Sequence, residues 1–317
     1  MRFVFVSGSV NRGVERDSPT LDLTLKLGSG AGLILFSVAG SFLAELSKDD
    51  SGEYPYDLLT IPPVVELCKF ILSVVLLASS GHRRSTASFK SYLLFAVPAL
   101  CYFVSNSCMF FIVKDVGVTQ FQLLRTIKVF FTAVFMRIFL GQRLSVRLKS
   151  SLLILALGLV LTQVHGSSKI DFNMRFRGYI LTVVTCLASS IGGVYSEKLL
   201  KNFSYSVHLQ NIQLYSWGLA FGVFVYWSGK SGIAVQSPFT GYNGSVYAMI
   251  LMLSLKGLSV SILLKYADAL VKSMVSSLAL SATVCSQVLL GAQDVSFIFT
   301  VGVLLIAFAL KTYTDKS

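Results

Sequence analysis

Two groups of charged and polar residues stand inside apolar runs, where charge needs a reason. Phe121, Gln122, Arg125 and Lys128 share one run, and Lys265, Asp268 and Lys272 straddle the junction of two others. A charge at the centre of a bilayer costs at least ~2.5–3.5 kcal/mol on insertion scales, so it faces a cavity or a partner. Offsets of four and three put Phe121, Arg125 and Lys128 on one face of a continuous helix. Lys128 has no acid four residues to either side, so its ammonium is open to an anionic ligand. Lys272 has Asp268 four residues before it, the favourable acid-before-base order, and is expected to be neutralised there. Glu66 and Lys69 are expected to pair in the same way, and Glu197-Lys198 to mark a cytosolic helix end. Arg125 either meets a ligand or pairs with an acid on another span. Lys265 either meets a ligand or snorkels towards a span end. Binding of an anion is the chemistry such buried cations offer.

Other patterns exclude chemistry. Gly28-Ser29-Gly30-Ala31-Gly32 has no strand-turn-helix context, so packing of helices through small residues accounts for it. Gly229-Lys230-Ser231 imitates the end of a phosphate-binding loop, but the upstream glycine position holds Phe224. The three histidines, His82, His165 and His208, lack metal-ligand spacing, and no Ser/His/Asp or Cys/His set is present. Asp49-Asp50, the only adjacent Asp pair, reads as a solvated turn. The five cysteines all lie in apolar runs, as small fillers and not as a disulfide framework. These residues point to no enzyme, metal or cofactor.

The elements that must carry the cations follow from composition. Of 317 residues, 54% are hydrophobic and 13% charged, against about 25% charged in a soluble domain. Lipid is therefore the solvent. The net charge of +12 is scattered through short loops and apolar runs, which argues against nucleic acid and for a bilayer and an anionic ligand. Apolar stretches long enough to cross ~30 Å of hydrocarbon recur throughout. They predict an all-α polytopic membrane protein with ten transmembrane helices near 28–46, 61–79, 91–113, 117–140, 150–166, 178–200, 207–228, 245–264, 267–290 and 295–312. An even split suggests two inverted five-helix halves, 28–168 and 169–312, flanked by tails 1–27 and 313–317. The loops after spans 2 and 4 carry three Lys/Arg each, whereas the loop from Ser47 to Asp57 has one Lys and four acids. That bias puts even-numbered loops and both termini in the cytosol, although Lys169, Arg175 and Arg177 after span 5 pull the other way. No cleavable signal peptide is expected in the polar first 24 residues. Of the sequons at Asn202 and Asn243, only the second is luminal in this topology, and it lies close to a span.

Several blocks, in order, resemble the nucleotide-sugar transporter family over about residues 28–312. They are Pro98 to Asn106 with Tyr102 inside it, Phe121-Gln122 with Lys128, Ser189 to Lys198 with Gly193, Asn211 to Tyr215 with Gln213, and Lys265-Tyr266-Ala267-Asp268. The branch resembled holds CMP-sialic acid, UDP-galactose and UDP-N-acetylglucosamine transporters, and Tyr54 through Lys69 is similar to plant-type members. The resemblance implies ten helices of the drug/metabolite transporter type. It implies exchange of a cytosolic pyrimidine nucleotide sugar for a luminal nucleoside monophosphate, in the Golgi membrane, with the ER as the alternative. It implies phosphate contacts from Lys128 and Lys265, and a pocket lined by Tyr102, Asn106, Ser189, Gly193, Asn211 and Tyr215, with Arg125, Gln213, Tyr266 and Asp268 nearby. A homo-oligomer is compatible with all of this. Three departures concern the substrate: Phe121 replaces a usual tyrosine, Lys256 stands in a usual glycine pair, and Ala269 replaces a usual asparagine. The rival readings are a carrier of another small phosphorylated anion and a membrane-embedded sugar or phospho-transferase.

Overall fold

The computed structural model describes residues 19–49, 53–80, 87–116, 121, 124–141, 145–164, 176–229, 238–289 and 296–314. They form ten α-helices: α1 Pro19–Leu46, α2 Ile61–Ser79, α3 Phe89–Val116, α4 Lys128–Leu140, α5 Val146–Val164, α6 Phe176–Asn202, α7 Val207–Gly229, α8 Gly244–Tyr266, α9 Ala269–Leu289 and α10 Phe297–Thr314. Two short 3-10 turns, Leu58–Thr60 and Arg125–Ile127, join them, and no strand occurs among the described residues. Helices suit the solvent, since lipid offers the backbone no hydrogen bonds and a helix satisfies its own. Among the described residues, five stretches are long and apolar enough to cross a membrane: Leu23–Leu46, Leu58–Ser79, Phe89–Cys108, Arg177–Asn202 and Gly244–Tyr266. Shorter apolar stretches lie in α5, α9 and α10. The basic loops at Arg83, Arg84, Arg143 and Lys169 fall outside the described residues.

Helix α1 opens at Pro19, before the span expected near 28–46, so residues 19–27 are helical. Hydropathy marks where lipid begins, whereas a helix extends as far as its backbone bonds do. The fourth run is not one continuous helix. It tightens into the 3-10 turn Arg125–Ile127 before α4 starts at Lys128, and α4 ends at Gly141, whose φ of 67° is left-handed.

The usual inside-out pattern of a soluble protein is reversed. Phe224 is 70% exposed and Leu304 64%, while Glu197 is fully buried and Asn211 is 1% exposed. Helices meet through small residues. A Cβ on Gly158 would lie 2.8 Å from the carbonyl oxygen of Gly302, so α5 and α10 cross backbone to backbone. Gly32 lets α1 approach Ser259 on α8, whereas a Cβ on Gly28 or Gly30 would meet nothing within 4 Å, and Gly192 brings α6 against Cys101 and Tyr102 on α3. The helix pairs form a regular set. Moving each helix five places along turns α1–α8 into α6–α3, α1–α9 into α6–α4 and α2–α8 into α7–α3, while α2–α7 and α5–α10 map onto themselves.

Candidate functional site

Helices α3, α6 and α9 converge on one tyrosine. The Lys272 ammonium on α9 stands 5.1 Å from the ring centroid of Tyr102 on α3. A Cβ added to Gly193 on α6 would sit 3.9 Å from both Lys272 Nζ and Tyr102 Oη, so this glycine keeps open the space where they meet. Tyr102 Oη is buried and finds no hydrogen-bond partner among the described residues. A hydroxyl left so costs about 1–3 kcal/mol unless something else satisfies it.

Three further cations join Lys272. Lys128 lies within electrostatic reach of Lys272, Arg125 and Lys256, and Lys256 within reach of Arg125 and Lys272; Arg125 is exposed and the three lysines are half-buried. No carboxylate among the described residues pairs with any of them. Lys128 is pinned by its backbone: its carbonyl accepts from Thr132 Oγ1 at 2.9 Å and from Ser190 Oγ on α6 at 3.1 Å. The Arg125 guanidinium carbon lies 5.8 Å from the ring centroid of Phe121. Four cations without a counter-ion repel one another, and an anion among them relieves that repulsion.

The α7 residues divide by face. Asn211 and Tyr215 are one turn apart and buried; Asn211 Oδ1 has no partner among the described residues, and Tyr215 Oη bonds Ser261 Oγ at 3.0 Å. Lys69 lies over the Tyr215 ring, 4.6 Å from its centroid, and pairs with Glu66 as expected. Gln213 points elsewhere, accepting from Ser91 Oγ on α3 at 2.8 Å, so it ties two helices. Ser189 is half-buried on α6, and Asn106 is exposed one turn beyond Tyr102. Phe121 is 2% exposed and packed with Ile112, Cys108, Leu124 and Leu181. Gln122 lies outside the described residues.

At the α8–α9 junction the geometry departs from expectation. Asp268 does not neutralise Lys272. Its Oδ1 accepts from Val271 N–H at 2.8 Å at the start of α9, and its Oδ2 from Tyr313 O–H at 2.7 Å. An acid just before a helix finds the free backbone N–H groups nearer than a side chain one turn on. Lys265 donates to the Tyr205 carbonyl at 3.0 Å, and Tyr266 is half-buried beside it. Glu197, near the C-terminal end of α6, is fully buried. It pairs with Lys201 at 2.6 Å and accepts from Ala269 N–H at 2.8 Å, clasping α6 to α9.

Sequence reasoning thus undervalued Lys272 and Lys256. Lys256 carried the signal that singled out Lys128, since no acid lies three or four residues away on either side. Lys272 was hidden by Asp268, whose partner only the fold decides.

The family model described as nucleotide-sugar transporter matches residues 60–314. The chain belongs to the nucleotide-sugar transporter family. CMP-sialic acid transporter 1 of Arabidopsis thaliana is 29% identical over 297 residues, covering 89% of this chain and 87% of that one. Its namesake from Oryza sativa subsp. japonica is 30% identical over 295 residues, 89% and 91% of the two chains. The human UDP-galactose translocator is 30% identical over 239 residues, 74% of this chain and 60% of its own length. A solved crystal structure superposes with a TM-score of 0.70 at 14% identity, covering 92% of this transporter and 97% of that chain, which supports the fold alone. Membership places the protein among membrane carriers and not among enzymes. In this transporter the Tyr102 hydroxyl on α3 and Lys128, Lys256 and Lys272 on α4, α8 and α9 lie on helices that meet at α6.

Proposed function

We propose that this transporter is an antiporter. It exchanges a cytosolic pyrimidine nucleotide sugar for a luminal nucleoside monophosphate across the Golgi membrane, through ten spans arranged as two inverted halves. The observation that carries this reading is the uncompensated cluster of Arg125, Lys128, Lys256 and Lys272. Arg125 and Lys128 come from the first half and Lys256 and Lys272 from the second, so an anion between them bridges the halves. Lys128 and Lys272 hold the phosphate; Lys265, which the motif suggested, is held at the Tyr205 carbonyl instead. Tyr102 and Asn211 offer their unpartnered atoms to sugar or base.

Exchange follows from the charge. Without ligand the four cations resist burial together, so the empty carrier switches slowly. A bound anion lowers that barrier and lets the halves rock around a central site. The five-place regularity of the helix pairs supports the two-half arrangement. The names of the relatives support CMP- or UDP-linked sugars.

The test is counterflow. Proteoliposomes preloaded with CMP or UMP should take up labelled nucleotide sugar many times faster than empty ones. Equal uptake with and without preload would overturn antiport. Stimulation by inorganic phosphate but by neither nucleotide would place the chain with carriers of other phosphorylated anions.

A further inference from the structure

Of the two adjacent serines on α6, Ser189 is half-buried and Ser190 is 1% exposed. The Ser190 Oγ donates to the Lys128 carbonyl at 3.1 Å, and Thr132 Oγ1, one turn along α4, stands 3.1 Å from the same Oγ. Thr132 also reaches that carbonyl, at 2.9 Å. The contact falls at a weak point of the backbone. Lys128 is the first residue of α4, directly after the 3-10 turn Arg125–Ile127, and the apolar Ile127 cannot cap the helix with its side chain. A 3-10 turn has poorer hydrogen-bond geometry than an α-helix, so a tie from outside steadies the direction in which Lys128 leaves it.

The same face of α6 makes a matching contact to α9. Ser190, Gly193 and Glu197 are spaced three and four apart and so share that face. Glu197 is fully buried and accepts from the Ala269 N–H at 2.8 Å, at the first residue of α9 and three residues before Lys272. Gly193, between the two ties, keeps open the space beside Lys272 and Tyr102. One end of this face therefore holds Lys128, and the other holds the root of the helix that carries Lys272.

We infer that Ser190 and Glu197 are positioning residues, which through one face of α6 set the separation of Lys128 and Lys272 and so their joint fit to one phosphate. This rests on the nucleotide-sugar reading and deepens it. Neither side chain has to touch the ligand. Ordering the two ammoniums before the ligand arrives raises affinity without any new contact to it. Ser190 acts through Lys128, and Glu197 through Lys272.

Dissociation constants of CMP and UMP are measured by titration on the purified full-length protein. Ser190→Ala should weaken binding about three- to tenfold, the range of one neutral hydrogen bond. In a Lys128→Met background the same change should cost no further affinity, because the lysine it places is gone. Glu197→Ala should behave likewise towards Lys272→Met, and Glu197→Gln, which keeps an oxygen for the Ala269 N–H, should retain affinity. Thr182→Ala removes another buried α6 hydroxyl, one that bonds the Gly178 carbonyl within the helix, and should leave affinity unchanged. Wild-type affinity in Ser190→Ala, an equal loss in Thr182→Ala, or full additivity of Ser190→Ala with Lys128→Met would overturn the inference. A wild-type protein that binds neither CMP nor UMP would overturn the nucleotide-sugar reading itself.

Discussion

Lys265 and Lys272 are seven residues apart, both basic and both near the α8–α9 junction, yet their surroundings assign them opposite roles. Replacing each by Met keeps most of the stem and removes the charge. For Lys272 the stakes are electrostatic. An ammonium about 4 Å from a phosphate oxygen at an effective dielectric near 20 interacts by about 4 kcal/mol. Desolvating the two groups takes back roughly half of that, leaving about 2 kcal/mol, or a ~30-fold loss of affinity. The empty protein should not be destabilised, because Lys272→Met removes repulsion from Lys128 and Lys256 and gives up only a cation–π contact worth about 0.5–2 kcal/mol. For Lys265 the hydrogen bond to the Tyr205 carbonyl is worth about 0.5–1.5 kcal/mol of stability. Titration of CMP and UMP, with thermal unfolding of the ligand-free protein alongside, reads both effects. Lys272→Met should lose affinity at an unchanged or raised unfolding temperature. Lys265→Met should keep affinity at a slightly lowered one. Wild-type affinity in Lys272→Met, or a larger loss in Lys265→Met, would return the phosphate role to Lys265 and sink the geometric argument.

The clasp between α6 and α9 is the next point to probe. Glu197→Ala leaves the Ala269 N–H without its acceptor, while Lys201 keeps the Ala267 carbonyl, and should cost about 1–3 kcal/mol, seen as a drop in unfolding temperature; a drop of a degree or less would mean that the clasp is not closed in solution. Gly158→Leu should separate α5 from α10 and abolish a monodisperse chromatographic peak, since even a Cβ would lie 2.8 Å from the Gly302 oxygen; a normal peak with wild-type stability would contradict that crossing. Asn243 caps α8, its Oδ1 accepting from Val246 N–H at 3.0 Å, so Asn243→Ala should cost about 0.5–2 kcal/mol. Ser245→Ala, which removes the sequon and spares the cap, should change neither stability nor electrophoretic mobility; a mobility shift would reveal a glycan at Asn243.

Membrane class and the all-helical make-up of the described residues were legible from sequence because hydropathy is a local property. Each apolar run had to become a helix wherever it lay, and α2 at Ile61–Ser79 and α7 at Val207–Gly229 start where the runs do. The Glu66–Lys69 pair was legible for the same reason, since both partners sit on one turn of one helix. Family was legible from ordered blocks along the chain. The partners of isolated charges were not. Asp268 is four residues from Lys272, but the fold brings Tyr313 to it from α10, and α9 begins so that its carboxylate meets Val271 N–H. The burial of Glu197 showed only once α9 was placed over it. Phe121, Arg125 and Lys128 shared a face only on the assumption of a continuous helix, which the 3-10 turn at Arg125–Ile127 interrupts. Periodicity tells which residues on one helix are neighbours. Which helices face one another depends on packing at glycines such as Gly32, Gly158 and Gly192, far away in sequence from the charges they bring together. The gathering of Lys256 from α8 and Lys272 from α9 within electrostatic reach of Lys128 was therefore decided by the tertiary structure alone.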